Sequence, residues 1–238
     1  MTILTQTMVT ERKDYAGDNL KLFFPFNEGE GTLFTDIIGG VSFSESGALH
    51  TVPHAVTLAT GVISGSPVST GTIPKVKSGE SLIIVAAHKV NVGSNFNAIG
   101  FGSTVSGKIG ISLTNVVNFN NGGFNTSAAM SVGTAGQTHL RAGTFNGVTG
   151  ELRGYEGLNG GSVANTGTAD ASAHLGAIDF PDTIIVGDNN SFNPDVYGFA
   201  FFTVNILPAE ADLLSYLDTM YSSWTRGHKI TDSRLSGY

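Results

Sequence analysis

At 238 residues, 40% of them hydrophobic and only 13% charged, the chain can bury a full core without disulfide or metal staples, which excludes a disordered segment. The absence of cysteine excludes disulfides, thiolate metal sites and a cysteine nucleophile, and the net charge of −7, with scattered acids, argues against nucleic acid as a partner. No stretch approaches the roughly 18 apolar residues needed to cross a bilayer, and Met1–Thr10 lacks the basic start and apolar core of a secretory signal.

The 32 glycines, with frequent Thr, Ser and Asn, indicate many strands joined by many turns. Residues 1–19 show no clean period. Ile3, Leu4, Met8 and Val9 lie among threonines before a polar run, which reads either as a loose terminus or as an arm that orders against a neighbouring subunit. From Leu20 the pattern alternates: Leu20, Leu22, Phe24 and Phe26 against Lys21, Phe23, Pro25 and Asn27. That is a strand, placed at an edge or bent by Pro25. His50 and His54 have the spacing of a helical metal pair, but Pro53 lies between them and they read as surface histidines.

Ser81–Val90 is apolar on both faces and reads as a central strand, with Ala98–Phe101 as a short partner. Lys108–Phe119 alternates cleanly and reads as one strand with a wet outer face. His139–Phe145 and Glu151–Tyr155 form a hairpin around Asn146-Gly147, two residues that tolerate positive φ. Gly157–Ala173 reads as a long loop, followed by strands over Thr183–Gly187 and Val196–Val204. One helix starts near Pro208. Leu213, Leu217 and Met220, with Tyr216 beside them, make its apolar face, and it is expected to cap the sandwich rather than form a layer. The domain is thus expected over residues 20–223, with an arm before it and a polar tail over 224–238.

Three motifs then give a resemblance. Phe26-x-Glu28-Gly29-x-Gly31, followed by Asp36 and Gly39, is the first. Thr144-Phe145-Asn146-Gly147, followed by Gly150, Leu152, Arg153 and Tyr155 and then the Asn159-Gly160 turn, is the second. The third is Val186-Gly187, then Tyr197, Gly198, Phe199, Phe201, Phe202, Leu207 and Glu210. In this order the chain resembles concanavalin A-like lectin/glucanase domains of the laminin-G-like group. The resemblance implies an all-β, two-sheet antiparallel jelly-roll sandwich with one short C-terminal helix. It does not fix a function, because that fold carries lectins, glycosidases, adhesion modules and virion proteins.

Glycosidases of that fold carry an E-x-D-x-x-E strand whose alternate carboxylates share one face. No such spacing occurs, no G-x-S-x-G elbow occurs, and no catalytic residue is assigned. His88, inside an apolar strand, reads as a core residue. The loop from Gly187 to Asp195 is the polar spot of interest. Asp188, Asn190 and Asp195 offer oxygens that a hard cation such as calcium prefers, while the same loop also suits a plain turn-rich connection. Asn189 and Asn193, with Phe192, Tyr155 and Tyr197 as aromatic platforms, complete a candidate sugar site. No other cofactor is implied.

These readings lead to a non-enzymatic structural or accessory virion protein, a capsid-decoration or tail-associated subunit with other virion subunits or its own copies as partners. A carbohydrate-binding adhesion module, on the virion or extracellular, is the alternative; a glycoside hydrolase is disfavoured by the missing carboxylates.

Overall fold

The computed structural model describes residues 19–24, 26, 33–36, 38, 42–44, 48–52, 55–58, 62–65, 75–89, 99–101, 110–113, 116–121, 124–131, 134–176, 184–187 and 195–225. The larger sheet runs in the order β14 (Ala164–Asp170), β13 (Glu151–Leu158), β12 (Thr138–Phe145), β7 (Ser81–Lys89), β16 (Asp195–Val204), β5 (Ala55–Leu58) and β4 (Ala48–Val52). β1 (Leu20–Phe24) also pairs with β16. The smaller sheet runs β11 (Phe124–Ala129), β10 (Val116–Asn121), β9 (Gly110–Leu113), β8 (Ile99–Phe101), β15 (Ile184–Gly187) and β6 (Val62–Gly65). β2 (Leu33–Thr35) and β3 (Ser42–Ser44) form a separate ribbon, and neighbouring strands in all three sheets are antiparallel.

β7 and β16 form the centre of the larger sheet because both are apolar on both faces. One face carries Ile83, Val85, Ala87, Leu140, Ala142, Tyr155, Ala200 and Phe202 and packs under helix α1 (Glu210–Thr225). The helix supplies Leu213, Leu217, Met220, Tyr221 and Trp224, one stripe at helical spacing, each withdrawn side chain contributing about 1.5–3 kcal/mol. The helix therefore forms a layer over the outer face instead of capping the sandwich. Trp224, expected in the tail, is inside the helix, stacked on Phe23 at 5.7 Å and pressed against Gly198, where a Cβ would sit 2.8 Å from the indole. Polar ties fix its position: Tyr221 Oη donates to Thr138 O at 2.7 Å and accepts from Gly160 N–H at 3.0 Å, and Asp218 accepts from Val163 N–H at 2.6 Å.

The other face meets the smaller sheet. Phe145 stacks on Phe119 at 4.6 Å, and Gly143 leaves room for Val117, which a Cβ there would strike. The motif residue Asp36, 1% exposed, accepts from Phe23 N–H at 2.6 Å and Ile38 N–H at 3.1 Å, tying the chain after β2 to β1.

Four expectations differ in extent or detail. Lys108–Phe119 is a hairpin rather than one strand: Leu113 pairs with Val117 and Ile111 with Phe119. Paired residues share parity, so an alternation in the sequence does not reveal the reversal. The expected loop over Gly157–Ala173 contains β14, an edge strand whose Thr, Ala, Asn and Gly residues carry no apolar alternation because it is mostly exposed. The hairpin at Asn146-Gly147 is present, but the positive φ falls on Gly150, at 76°. Asn146 instead accepts from the N–H groups of Val148 and Thr149, and Gly147 is needed because a Cβ would strike the Glu80 carbonyl. The strand expected to reach Phe26 ends at Phe24, and Phe26 has φ 49°.

Candidate functional site

β13 divides two environments at consecutive residues. Tyr155 points to the helix side and Glu156 to the inner face, because neighbouring strand residues alternate. Glu156 meets His139 and Arg141 from β12. His139 Nδ1–H donates to Glu156 Oε1 at 2.8 Å, Arg141 Nε–H reaches the same oxygen at 3.3 Å, and Ser131 N–H donates to Oε2 at 3.2 Å. Arg141 Nη2–H donates onward to Ser131 O at 2.8 Å. His88 of β7 lies beside them, its ring parallel to that of His139 within 7° at a centroid distance of 5.3 Å. Burial would raise the Glu156 pKa, but the hydrogen bonds from His139 and Ser131 and the charge of Arg141 outweigh it and hold the carboxyl down at about 2. Burial first, then the Arg141 and His139 charges, keeps His88 well below the ordinary imidazole range.

A second feature lies at the opposite end of β13. Asn146, Thr149, Glu151, Thr168, Ala169, Asp170 and Ser172 line an open depression of about 610 Å³. Gly150 O accepts from Ala171 N–H at 2.7 Å, which joins the hairpin to the segment after β14. Asp170 accepts from Ser172 N–H at 2.9 Å, and Glu151 pairs with Arg153, which also reaches Glu210 of the helix at 3.0 Å. Val148, 69% exposed, stands on the adjoining turn.

No family model and no curated protein matches the sequence. Among solved structures, a Trypanosoma rangeli sialidase aligns over 94% of this chain and 38% of its own, with TM-score 0.52 and 13% identity. The botulinum neurotoxin type C whose cell entry depends on interaction with two ganglioside molecules aligns over 87% of this chain and 53% of its own, with TM-score 0.50 and 15% identity. The chain spans less than two thirds of either protein, and at these identities the likeness is one of fold. The fold is a two-sheet antiparallel jelly-roll sandwich with one short helix.

Of the residues expected to form a sugar site, three lie among the described ones: Tyr155, Asp195 and Tyr197. Tyr155 is 2% exposed inside the helix-side core, so it offers no stacking platform; strand alternation sends it under α1. Tyr197 is half-buried on the same side, and Asp195 is buried at the start of β16, opposite Lys89. Asp188, Asn189, Asn190, Phe192 and Asn193 lie outside the described residues, as does the side chain of His50, and so does His54. Among the described residues no group of three His, Cys, Asp or Glu side chains could hold a metal ion. His139, Arg141 and Glu156 were not singled out by sequence. The available signal was charge at alternate positions of two paired strands, His139 and Arg141 on one and Glu156 on the other.

Proposed function

We propose that this protein is a non-enzymatic glycan-binding surface module, carried on a virion as a decoration or tail-associated subunit. The observation that carries the non-enzymatic reading is the state of Glu156. Both its oxygens already take donors, its carboxyl is held ionised, and it is 9% exposed, so it has no proton to give as a general acid. Glycan binding is supported by the open depression. Its carboxylates and hydroxyls suit the dense hydroxyl groups of a sugar, and Val148 offers an apolar contact beside them. The ganglioside partner of the neurotoxin points the same way. The virion placement rests on the cysteine-free, Gly/Thr/Ser/Asn-rich composition and on terminal segments that lie outside the sandwich pattern.

A glycan array, run with and without calcium, tests the binding. Capture of at least one glycan class, weakened about tenfold or more by Asp170→Asn, is expected, the loss of one charge-assisted hydrogen bond. Binding to no sugar in either condition overturns it. Release of reducing sugar that a Glu→Gln change abolishes overturns the non-enzymatic reading. Copurification with particles tests the placement, and an isolated chain that stays monomeric and never associates with particles removes it.

A further inference from the structure

We propose that the hydroxyls of Ser81 and Tyr221 guard two asparagine side chains, Asn146 and Asn159, against conversion to aspartate and isoaspartate. The sequence holds three Asn-Gly pairs, and two of them, Asn146-Gly147 and Asn159-Gly160, lie wholly among the described residues. Such a pair is labile because glycine carries no Cβ to hinder attack by its own nitrogen on the preceding amide. In that reaction the glycine nitrogen gives up its proton and bonds to the asparagine Cγ. The Cγ–Nδ2 bond breaks, and Nδ2 leaves with the proton as ammonia. Water then opens the cyclic imide at either carbonyl, giving aspartate or isoaspartate, and is the one co-reactant.

The fold requires both members of each pair. A Cβ on Gly147 would strike the Glu80 carbonyl, and Gly160 has φ 77°. Asn146 Oδ1 accepts from the N–H groups of Val148 at 2.9 Å and Thr149 at 3.0 Å. Asn159, at φ 50°, accepts from Thr138 N–H at 3.0 Å. These donors sit on the oxygen that becomes negative when Cγ is attacked, so each turn polarises its amide in the direction of reaction. What the fold withholds is the nucleophile. Gly147 N–H donates to Ser81 Oγ at 3.1 Å, and Gly160 N–H donates to Tyr221 Oη at 3.0 Å. The guards come from β7 and α1, 66 and 61 positions away along the chain. A hydroxyl that accepts the N–H stabilises the protonated amide, which is the unreactive form. Gly147 is also buried, where a deprotonated nitrogen would lack water. Asn159 and Gly160 are exposed, so there the guard rests on Tyr221. Conversion at Asn146 would add a third carboxylate to the lining of the depression, after Glu151 and Asp170.

The test is peptide mapping by mass spectrometry after incubation of the full chain in mildly alkaline buffer. The native sequence, Ser81→Ala, Tyr221→Phe and Leu217→Ala are compared, with the guanidinium-unfolded chain as reference. The native fold should keep both asparagines while the unfolded chain converts them. S81A should raise conversion at Asn146 about tenfold and leave Asn159 slow, and Y221F should do the reverse, tenfold being about the rate worth of one hydrogen bond. L217A loosens the same helix with the Tyr221 hydroxyl in place and should leave both sites slow. Where S81A does not fold, Y221F against L217A decides. Three results overturn the proposal: native conversion as fast as in the unfolded chain, unchanged or slower conversion in the hydroxyl variants, or L217A speeding Asn159 as much as Y221F does.

Discussion

Tyr155 and Glu156 are adjacent in sequence and lie in different worlds. Tyr155 packs under α1, while Glu156 anchors three donors, two from β12 and one from a loop. Glu156→Gln keeps the shape and removes the anion, leaving the Arg141 guanidinium buried beside a neutral amide. Breaking such a pair costs about 3–5 kcal/mol, and a urea or guanidinium titration should show that loss at neutral pH. The pH sign is that of a depressed carboxyl. The Glu156 contribution is present above its ordinary value of 4.5 and is lost as pH falls from there toward about 2. Acid stability curves of E156Q should therefore lack that limb.

At the scale of elements, α1 and β14 show two ways of finishing the larger sheet. The helix seals its outer face with an apolar stripe and with Tyr221, whose hydroxyl satisfies a β12 carbonyl and a turn N–H together. Leu217→Ala removes a fully buried side chain from that seam and should lower stability by about 2–5 kcal/mol; Tyr221→Phe should cost less, about 0.5–1.5 kcal/mol, because Thr138 O keeps its bond from Asn159 N–H at 2.8 Å. Shifts in denaturant midpoint at constant slope would check both. β14 closes the edge differently. Its pairing with β13 skips Thr166, a bulge, and the Thr166 hydroxyl donates to Ala129 O at 2.8 Å on the edge strand of the other sheet. Gly167 permits that approach, because a Cβ would sit 2.8 Å from the Ala129 nitrogen. The edge is thereby turned toward its own partner sheet and away from foreign strands.

Across the whole molecule, the central strands come from distant parts of the chain. β1, β7 and β16 sit together although they begin at Leu20, Ser81 and Asp195. β16 is the inner partner of β7 and the support of α1, so a chain ending after β15 leaves β7 with one bare edge and an uncovered apolar face. Such a truncation should be unfolded or aggregated by circular dichroism and light scattering, while the intact chain folds slowly, on the order of milliseconds to seconds, as non-local antiparallel pairing dictates. A truncated chain with native-like strand signal and a cooperative melt would contradict this assembly.

What the sequence determined by itself was set by local patterning: the all-β class, the doubly apolar central strand at Ser81, the aromatic strand at Leu20, the hairpin around Asn146 and the amphipathic stripe of the helix. Those features follow from side-chain period and turn chemistry, which act over a few residues. The tertiary structure alone decided the rest. It divided Lys108–Phe119 into two strands, because parity survives a reversal, and gave an exposed polar stretch its place as β14, because backbone pairing needs no apolar side chains. It put Tyr155 beyond the reach of a ligand and brought His88, His139, Arg141 and Glu156 from three strands into one cluster. Which residues share an interior depends on strand order and register, and those are fixed by contacts between segments far apart along the chain.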